Sequence, residues 1–178
     1  MDPLQAARRG REDAFLQLFD AHHLPLFRFA CRLTGSAADA EDIVQECFLG
    51  LLRPACPYDS TRTPLRTYLY GAVRNQVLKR QRQGARITSM NSEPVIGRSP
   101  ESQLLRTEME GVVARAVMEL PDAQREVLVL AHYEQMPLAE IAQVMEIEVG
   151  AVKSRLQRAR AQLKEMLAAY ATGQERKS

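Results

Sequence analysis

Hydrophobic and polar residues along this chain recur with the period of an α-helix, and no segment shows the alternation typical of a strand. The pattern predicts one helix from Arg11 to His22 and another from Leu26 to Leu33, with Pro25 as the break between them. Gly35 is expected to end the second of these helices, and Ser36 is expected to cap the next one. The periodicity therefore predicts an all-α fold.

The segment after Ser36 divides most clearly into two faces. Its predicted buried stripe consists of Ala40, Ile43, Val44, Cys47, Phe48 and Leu51. A second face is acidic and polar with one leucine, and it consists of Asp42, Gln45, Glu46 and Leu49. Pro54 and Pro57 are expected to close this helix.

Thr63 is predicted to cap the next amphipathic helix, and Pro64 is predicted to lie in its first turn. The positions expected to face inward are Leu65, Leu69, Ala72, Val73 and Val77. The positions expected to face largely outward are Arg66, Tyr70, Arg74, Leu78, Lys79 and Arg82. Residues 86–103 have no period and concentrate Gly, Pro and Ser, which is typical of a linker. We therefore predict two small helical domains, at residues 1–85 and 104–170, with a short tail at residues 171–178.

The stretch from Pro137 to Leu163 predicts a short helix, a tight turn and a longer helix, which is the order of a helix-turn-helix motif. Another helix is predicted just before it, from Asp122 to Tyr133. In the longer helix the residues expected to face inward are Val152, Leu156, Ala159 and Leu163, and the basic residues are Lys153, Arg155, Arg158, Arg160 and Lys164. Such a helix can lie in a DNA major groove, where its cations meet phosphates and its N-terminal residues reach base edges.

Charge is strongly segregated along the chain, although the formal net charge is only +2. Residues 61–91 contain seven basic residues and no acid, and residues 149–164 contain five basic residues and no acid. Residues 101–148, between these blocks, contain ten acids and three basic residues. Two basic blocks separated by an acidic one favour two nucleic-acid contacts over general binding of polyanions.

The sequence offers little that suggests catalysis or metal binding. The three cysteines, Cys31, Cys47 and Cys56, lack paired spacing, so reduced thiols are expected, and the three histidines are interpreted as structural. No nucleophile–base pair or phosphate-binding loop is found. The N-terminus lacks the apolar segment of a signal peptide, and no apolar run is long enough to cross a bilayer. We expect a cytoplasmic protein with no cofactor, no metal and no catalytic residues.

Four segments together resemble bacterial RNA polymerase sigma factors of the extracytoplasmic-function type. In chain order they are AEDIVQECFLGLL, LRTYLYGAVRNQVLKRQR, LPDAQREVLVLAHYEQMPLAEIAQVM and VGAVKSRLQRARAQL. The resemblance implies two helical domains on a flexible linker. The first would bind core RNA polymerase and the minus-ten promoter element and assist melting, and the second would bind the minus-thirty-five element.

The resemblance also implies which residues make each contact. The polymerase-docking residues would be Asp42, Gln45, Glu46 and Leu49. The residues at the melted minus-ten element would be Tyr58, Arg66, Tyr68, Tyr70, Arg74, Asn75, Lys79, Arg80 and Arg82. The residues at the minus-thirty-five element would be Gly150, Ala151, Lys153, Ser154, Arg155 and Arg158.

The minus-ten set also has a physical logic of its own. Single-stranded bases stack on aromatic rings while basic side chains meet their backbone, and Asn75 offers both a donor and an acceptor to a base edge. Tyr68 stands where family members usually have tryptophan, and its ring is interpreted either as a stacking plate or as a core residue. Ala151 stands where the family usually has threonine, so one hydroxyl near the recognition-helix N-terminus is lost.

The implied partners are core RNA polymerase, promoter DNA as duplex and as melted single strand, and an anti-sigma factor that is often membrane-anchored in this family. The free protein is expected to be a monomer. One alternative is a dimeric helix-turn-helix repressor or activator, which would need a palindromic site and leaves the aromatic and basic residues of 58–82 without a role. A second alternative is a sigma-like decoy for an anti-sigma factor, which has little reason to keep both basic blocks.

Overall fold

The computed structural model describes residues 3–88 and 108–175, with side chains at residues 3–84 and 110–172. All regular elements within these ranges are helical. In chain order they are α1 (Pro3–Arg8), α2 (Glu12–Thr34), α3 (Ala37–Leu52), α4 (Leu65–Thr88), α5 (Glu108–Glu119), α6 (Asp122–Leu128), a π-helical turn (Val129–Tyr133), α7 (Leu138–Met145) and α8 (Val149–Glu175). The all-α prediction is confirmed.

Helix α2 runs without interruption through Pro25, so the predicted break at this residue is wrong. A proline inside a helix removes one hydrogen bond and crowds the preceding turn. Here the helix buries Leu18 before the proline and Leu26 and Phe29 after it on one continuous face. Burial of that face stabilises the helix on both sides of Pro25. The predicted end is confirmed, because Gly35 adopts a left-handed conformation with φ of 72° and its N–H bonds to the carbonyl of Cys31 at 2.8 Å.

Helix α3 follows the sequence prediction closely. Ser36 caps it, and its hydroxyl accepts a hydrogen bond from the backbone N–H of Asp39 at 3.2 Å. All six residues of the predicted stripe are buried: Ala40, Ile43, Val44, Cys47, Phe48 and Leu51. They pack against α2 and α4, and α1 closes the same core. The acidic face of α3 is consequently directed to solvent.

Tyr70 of α4 is only 2% exposed, so the prediction that it faces outward is wrong. Its ring packs edge-on against Phe29 of α2, with the ring centroids 5.0 Å apart. Tyr70 is buried beside Leu69 and Val73 of the predicted inward stripe, so the buried face of α4 is wider than that stripe. In this conformation the ring of Tyr70 cannot stack on a base.

The C-terminal helices form a second core around α8. Helices α5, α6 and α7 each pack against α8, and the π-helical turn follows directly from α6. The predicted helix from Asp122 to Tyr133 is thus present, with its last turn widened. Val152, Leu156 and Ala159 of α8 are buried as predicted, whereas Leu163 is half-buried.

The chain divides into two compact units, Met1–Ile96 and Gly97–Ser178. Helix α4 extends to Thr88, three residues into the segment predicted as a linker. The rest of that predicted linker, up to residue 103, lies outside the described residues, as does the end of the predicted tail.

Candidate nucleic-acid and protein-docking surfaces

The exposed face of α3 combines carboxylates with a large apolar side chain. Asp42 has 64% of its side chain exposed, and Leu49 is 58% exposed although it is a leucine. Gln45 and Glu46 are also exposed. Leu49 is thus an exposed apolar side chain among polar neighbours on this face. The four residues predicted for polymerase docking therefore share one accessible face.

His23 of α2 contacts α3 at the edge of its acidic face. Nε2 of His23 lies 3.3 Å from Oε1 of Glu41, and Gln45 donates to the same carboxylate oxygen at 3.1 Å. The imidazole of His23 stacks on Phe19, with ring centroids 4.4 Å apart. These contacts fix the position of α2 against α3 beside the acidic face.

Arg80 of α4 reaches the acidic face of α3. Its Nη1 lies 3.0 Å from the carboxylate of Asp39, and its Nη2 lies 3.7 Å from the carboxylates of Asp42 and Glu46. The side chain of Arg80 is 29% exposed. The sequence grouped Arg80 with the minus-ten residues, but the structure places its guanidinium among carboxylates.

An open groove of about 460 Å³ lies where α3 and α4 meet the segment that joins them. Three residues of the predicted minus-ten set line it from α4: Tyr68, Asn75 and Lys79. The opposite wall is formed by Arg53, Ala55, Cys56 and Pro57 of the connecting segment and by Glu46, Cys47 and Gly50 of α3. An aromatic ring, an amide and an ammonium group thus converge on one concave site, which is the combination that single-stranded nucleic acid binds.

Tyr68 lies at the rim of this groove in a small cluster. Its ring centroid is 5.0 Å from that of Tyr58, and its hydroxyl is 3.3 Å from Sγ of Cys56. Burial and this contact with Cys56 raise the pKa of the Tyr68 phenol to about 12. The ring is half-buried, so it is neither a fully exposed plate nor a core residue. Sequence reasoning did not single out Cys56, since no periodic or metal-binding pattern involves it.

The remaining predicted minus-ten residues do not all meet at the groove. Arg66 and Arg74 lie one turn before and after Tyr70 and share its side of α4. The guanidinium carbon of Arg66 is 5.5 Å from the centroid of the Tyr70 ring. Partial burial, and to a lesser degree the charge of Arg66, lower the pKa of His22 on α2. Arg82 is exposed near the end of α4.

Helix α8 presents the predicted minus-thirty-five residues near its N-terminal end. Gly150, Lys153 and Arg158 are exposed, whereas Ala151, Ser154 and Arg155 are half-buried. Nη2 of Arg158 donates to the hydroxyl of Ser154 at 2.7 Å, which holds the guanidinium along the helix. The turn before α8 contains Glu146 with a φ of 54°, a conformation that favours glycine or asparagine. The six predicted minus-thirty-five residues form one basic surface on α8, the second helix of the motif.

A histidine of the π-helical turn also contacts this basic surface. Nε of Arg160 donates to Nε2 of His132 at 3.1 Å, and both side chains are exposed. The contact extends the surface from α8 toward the π-helical turn. Sequence reasoning interpreted His132 as an isolated structural residue, since no pattern in the chain connects positions 132 and 160.

Within residues 3–88 and 108–175, no group of three or more possible ligands is arranged to hold a metal ion. None of the helices in those ranges is long and apolar enough to cross a membrane.

Two family models match this chain. The model described as Sigma-70 region 2 matches residues 18–87, and the model described as Sigma-70, region 4 matches residues 111–163. The first match covers α3 and most of α2 and α4, and the second covers α6, α7 and most of α5 and α8. The α3 face, the groove and the basic surface of α8 therefore lie inside matched segments.

Relatives that match over most of their length carry consistent names. The chain is 33% identical over 144 residues to the ECF RNA polymerase sigma factor SigL of Mycobacterium tuberculosis, covering 78% of this chain and 80% of SigL. It is 32% identical over 172 residues to SigM of the same species, covering 96% of this chain and 85% of SigM. It is 28% identical over 177 residues to SigW of Bacillus subtilis, covering 92% and 94%.

Solved structures of similar fold include complexes with other proteins. The structure of CnrH with the cytosolic domain of CnrY matches with a TM-score of 0.69 and 28% identity, covering 94% of this chain and 96% of CnrH. The sigma factor RpoE of Bartonella quintana, solved with the anti-sigma factor NepR, matches with a TM-score of 0.73 and 23% identity over 86% and 96% of the two chains. The second match supports the fold alone.

Proposed function

Because the chain belongs to the ECF sigma factors of bacterial RNA polymerase, we propose that its surfaces divide between polymerase docking, binding of the melted strand and binding of duplex DNA. The protein directs core RNA polymerase to specific promoters at the start of transcription. Each surface is proposed to make a separate contact in this process. No catalytic step is assigned to this chain, which acts as a specificity subunit.

The groove between α3 and α4 is the observation that carries the proposal. A repressor that binds only duplex DNA has no need for a concave site with an aromatic ring, whereas a protein that opens DNA must hold unpaired bases. Tyr68, packed against Tyr58, offers a stacking surface, and the Asn75 amide offers both a donor and an acceptor to a base edge. Lys79, with the exposed Arg82 further along α4, supplies positive charge for the strand's backbone.

The exposed face of α3 is proposed to dock on core polymerase. Leu49 would supply the apolar centre of the contact, and the carboxylates of Asp42 and Glu46 would pair with basic groups of the partner. Gln45, exposed beside them, would add hydrogen bonds. Because these side chains are directed away from the α2–α4 core, a partner can reach them without unfolding the unit.

Charge reversal on this face gives the direct test. The double substitution Asp42→Lys with Glu46→Lys should abolish binding to core polymerase, because attraction to the partner's basic groups becomes repulsion. A matched control changes two exposed acids of α2, Glu12→Lys with Asp20→Lys, and should retain binding. Circular dichroism should show the same helical signal in both variants. Undiminished core binding by the first variant would remove the docking assignment.

The basic surface of α8 is proposed to bind the minus-thirty-five element as duplex. The residues proposed for this contact are Gly150, Ala151, Lys153, Ser154, Arg155 and Arg158. Residues in the first two turns lie closest to base edges when such a helix enters the major groove, and those further along meet the phosphates. We therefore assign base contacts to Lys153 and Arg155 and a phosphate contact to Arg158.

An anti-sigma factor is proposed as the regulatory partner. The relative CnrH was solved in complex with the cytosolic domain of CnrY, which supports a protein partner for this chain. A partner that covered the α3 face would exclude polymerase by occupying the same carboxylates and Leu49. Purification of the tagged chain from its native cells should recover such a partner, and its addition should compete with core polymerase.

The competing function, a repressor or activator that acts without polymerase, predicts a dimer on a palindromic site. Light scattering of the free protein separates the two, since the sigma factor is expected to be a monomer. Run-off transcription with core polymerase on a genomic library should produce discrete protein-dependent starts that share two spaced upstream elements. Specific duplex binding without any protein-dependent start would favour the repressor.

A further inference from the structure

Arg80 connects the two surfaces that we assign to different partners. Its guanidinium bonds to Asp39 at 3.0 Å and lies 3.7 Å from both Asp42 and Glu46. The last two residues belong to the face proposed to dock on polymerase. That face is therefore already occupied, in the free protein, by a cation from the same chain.

The same side chain also borders the nucleic-acid groove. A second open groove of about 360 Å³ is lined by Arg80 together with Gln83 and Gly84. It shares Glu46, Gln76 and Lys79 with the larger groove that contains Tyr68. The two grooves thus adjoin along α4, and a strand that extended from one into the other would pass beside Arg80.

We propose that Arg80 is a positioning residue that exchanges partners when polymerase binds. In the free protein its guanidinium pairs with the α3 carboxylates. A basic surface of polymerase that docks on Asp42 and Glu46 replaces it, and the released guanidinium then binds the phosphate backbone of the melted strand. The inference rests on the functions proposed above for the acidic face and for the groove.

The exchange follows from competition between cations for the same oxygens. Asp42, Glu46 and Arg80 are all reachable by solvent, so their ion pairs are weak enough to be exchanged for an incoming partner. Coupling of this kind is reciprocal: if docking releases Arg80 toward DNA, then DNA that captures Arg80 strengthens docking by the same factor. The chain would therefore hold melted DNA weakly when free and more strongly on polymerase.

The first test measures the affinity of the full chain for core polymerase. Arg80→Gln removes the internal competitor and should raise this affinity about two- to fivefold, the range that exposed ion pairs support. Arg80→Lys keeps the charge and should stay near the original affinity. The control Arg28→Gln removes the same charge from an exposed site on α2, outside the proposed surfaces, and should leave core affinity unchanged. A lowered or unchanged core affinity for Arg80→Gln overturns the proposal.

The second test measures binding of the free chain to a single-stranded DNA oligonucleotide of mixed sequence. Asp39→Asn weakens the hold on Arg80 and should raise DNA affinity in the original chain but much less in the Arg80→Gln background. Glu41→Gln removes an equal charge from α3 at a side chain that pairs with His23, and its effect should be the same in both backgrounds. An equal effect of Asp39→Asn in both backgrounds also overturns the proposal.

Two variants distinguish a wrong docking assignment from a wrong exchange by Arg80. If Asp42→Lys with Glu46→Lys leaves core binding intact, the docking assignment itself is wrong. If that variant loses core binding but Arg80→Gln fails to gain it, the docking assignment stands and only the exchange by Arg80 is excluded. Melting curves by circular dichroism identify any variant that loses its fold, and Arg80→Lys then supplies the comparison with charge retained.

Discussion

The ring of Tyr70 lies edge-on against the ring of Phe29, with 5.0 Å between their centroids, and this contact joins α4 to α2 in the core of the N-terminal unit. Two positions earlier in the chain, Tyr68 lies at the rim of the groove against Tyr58. Two tyrosines of one helix therefore have separate roles, one in stability and one at the proposed nucleic-acid site.

Removing the buried ring should destabilise the protein. Tyr70→Ala is expected to lower the free energy of unfolding by about 3–5 kcal/mol, because it leaves a cavity beside Phe29. Urea unfolding followed by circular dichroism measures the change. The control Tyr170→Ala removes a ring that is 42% exposed at the end of α8 and should change stability by less than about 0.5 kcal/mol. Similar losses in the two variants would contradict the core role of Tyr70.

Removing the rim ring should affect promoter opening instead. Tyr68→Ala is expected to weaken the hold on unpaired bases by about 1–3 kcal/mol per stacked base, whereas Tyr68→Trp should retain it. Permanganate reactivity of unpaired thymines, on a promoter recovered by run-off transcription, reports the opening. The conservative variant Tyr70→Phe keeps the core ring and serves as the control. Normal opening with Tyr68→Ala would mean that its ring contributes only to packing.

Substitutions in α8 should separate base contacts from phosphate contacts. Arg158→Gln is expected to weaken binding equally on matched and mismatched minus-thirty-five duplexes and to reduce the salt slope by about 1. Lys153→Gln, in the first two turns, is expected to cost about 1–3 kcal/mol and to relax preference at one position. Binding isotherms against salt concentration provide both quantities. Loss of preference with Arg158→Gln would reverse the assignment.

The buried thiol of Cys47 in α3 should ionise only at high pH. Burial, and then the charge of Glu46, raise the pKa of Cys47 from 9.0 to about 12. A thiol reagent at pH 8 should therefore modify the half-buried Cys31 and Cys56 first and reach Cys47 only on unfolding, since thiolate is the reactive form. Rapid modification of Cys47 in the folded protein would contradict this assignment.

The same shift predicts a loss of stability at alkaline pH. The pKa of Cys47 is higher in the folded chain than in the unfolded chain. The thiol therefore contributes its full stabilisation of the fold below about pH 9. This stabilisation is lost as pH rises toward about 12, because the unfolded chain then binds fewer protons. Cys47→Ala should remove this part of the pH dependence, whereas Cys31→Ala, at a half-buried position, should leave it in place. Unfolding free energies measured between pH 8 and pH 11 show whether the alkaline loss of stability depends on Cys47.

Local structure could be predicted from the sequence wherever a helix end or face requires a particular type of residue. Ser36 and Gly35 supply the cap and the left-handed turn that a helix start and a helix end need, and both were located from the sequence. The buried stripe of α3 was predicted in full because a helix packed on one side has a simple period. The helix-turn-helix also follows from periodicity within one short segment.

The sequence by itself thus determined the all-α class, the helix bounds that depend on caps, and the family. Tertiary structure decided whether Pro25 breaks a helix, because burial on both sides outweighs a lost hydrogen bond. It also buried Tyr70, because α4 packs against α2 as well as α3 and so has a wider apolar face than one stripe. The position of Arg80 among three carboxylates depends on how α3 and α4 cross, which a sequence spacing of 41 residues cannot specify.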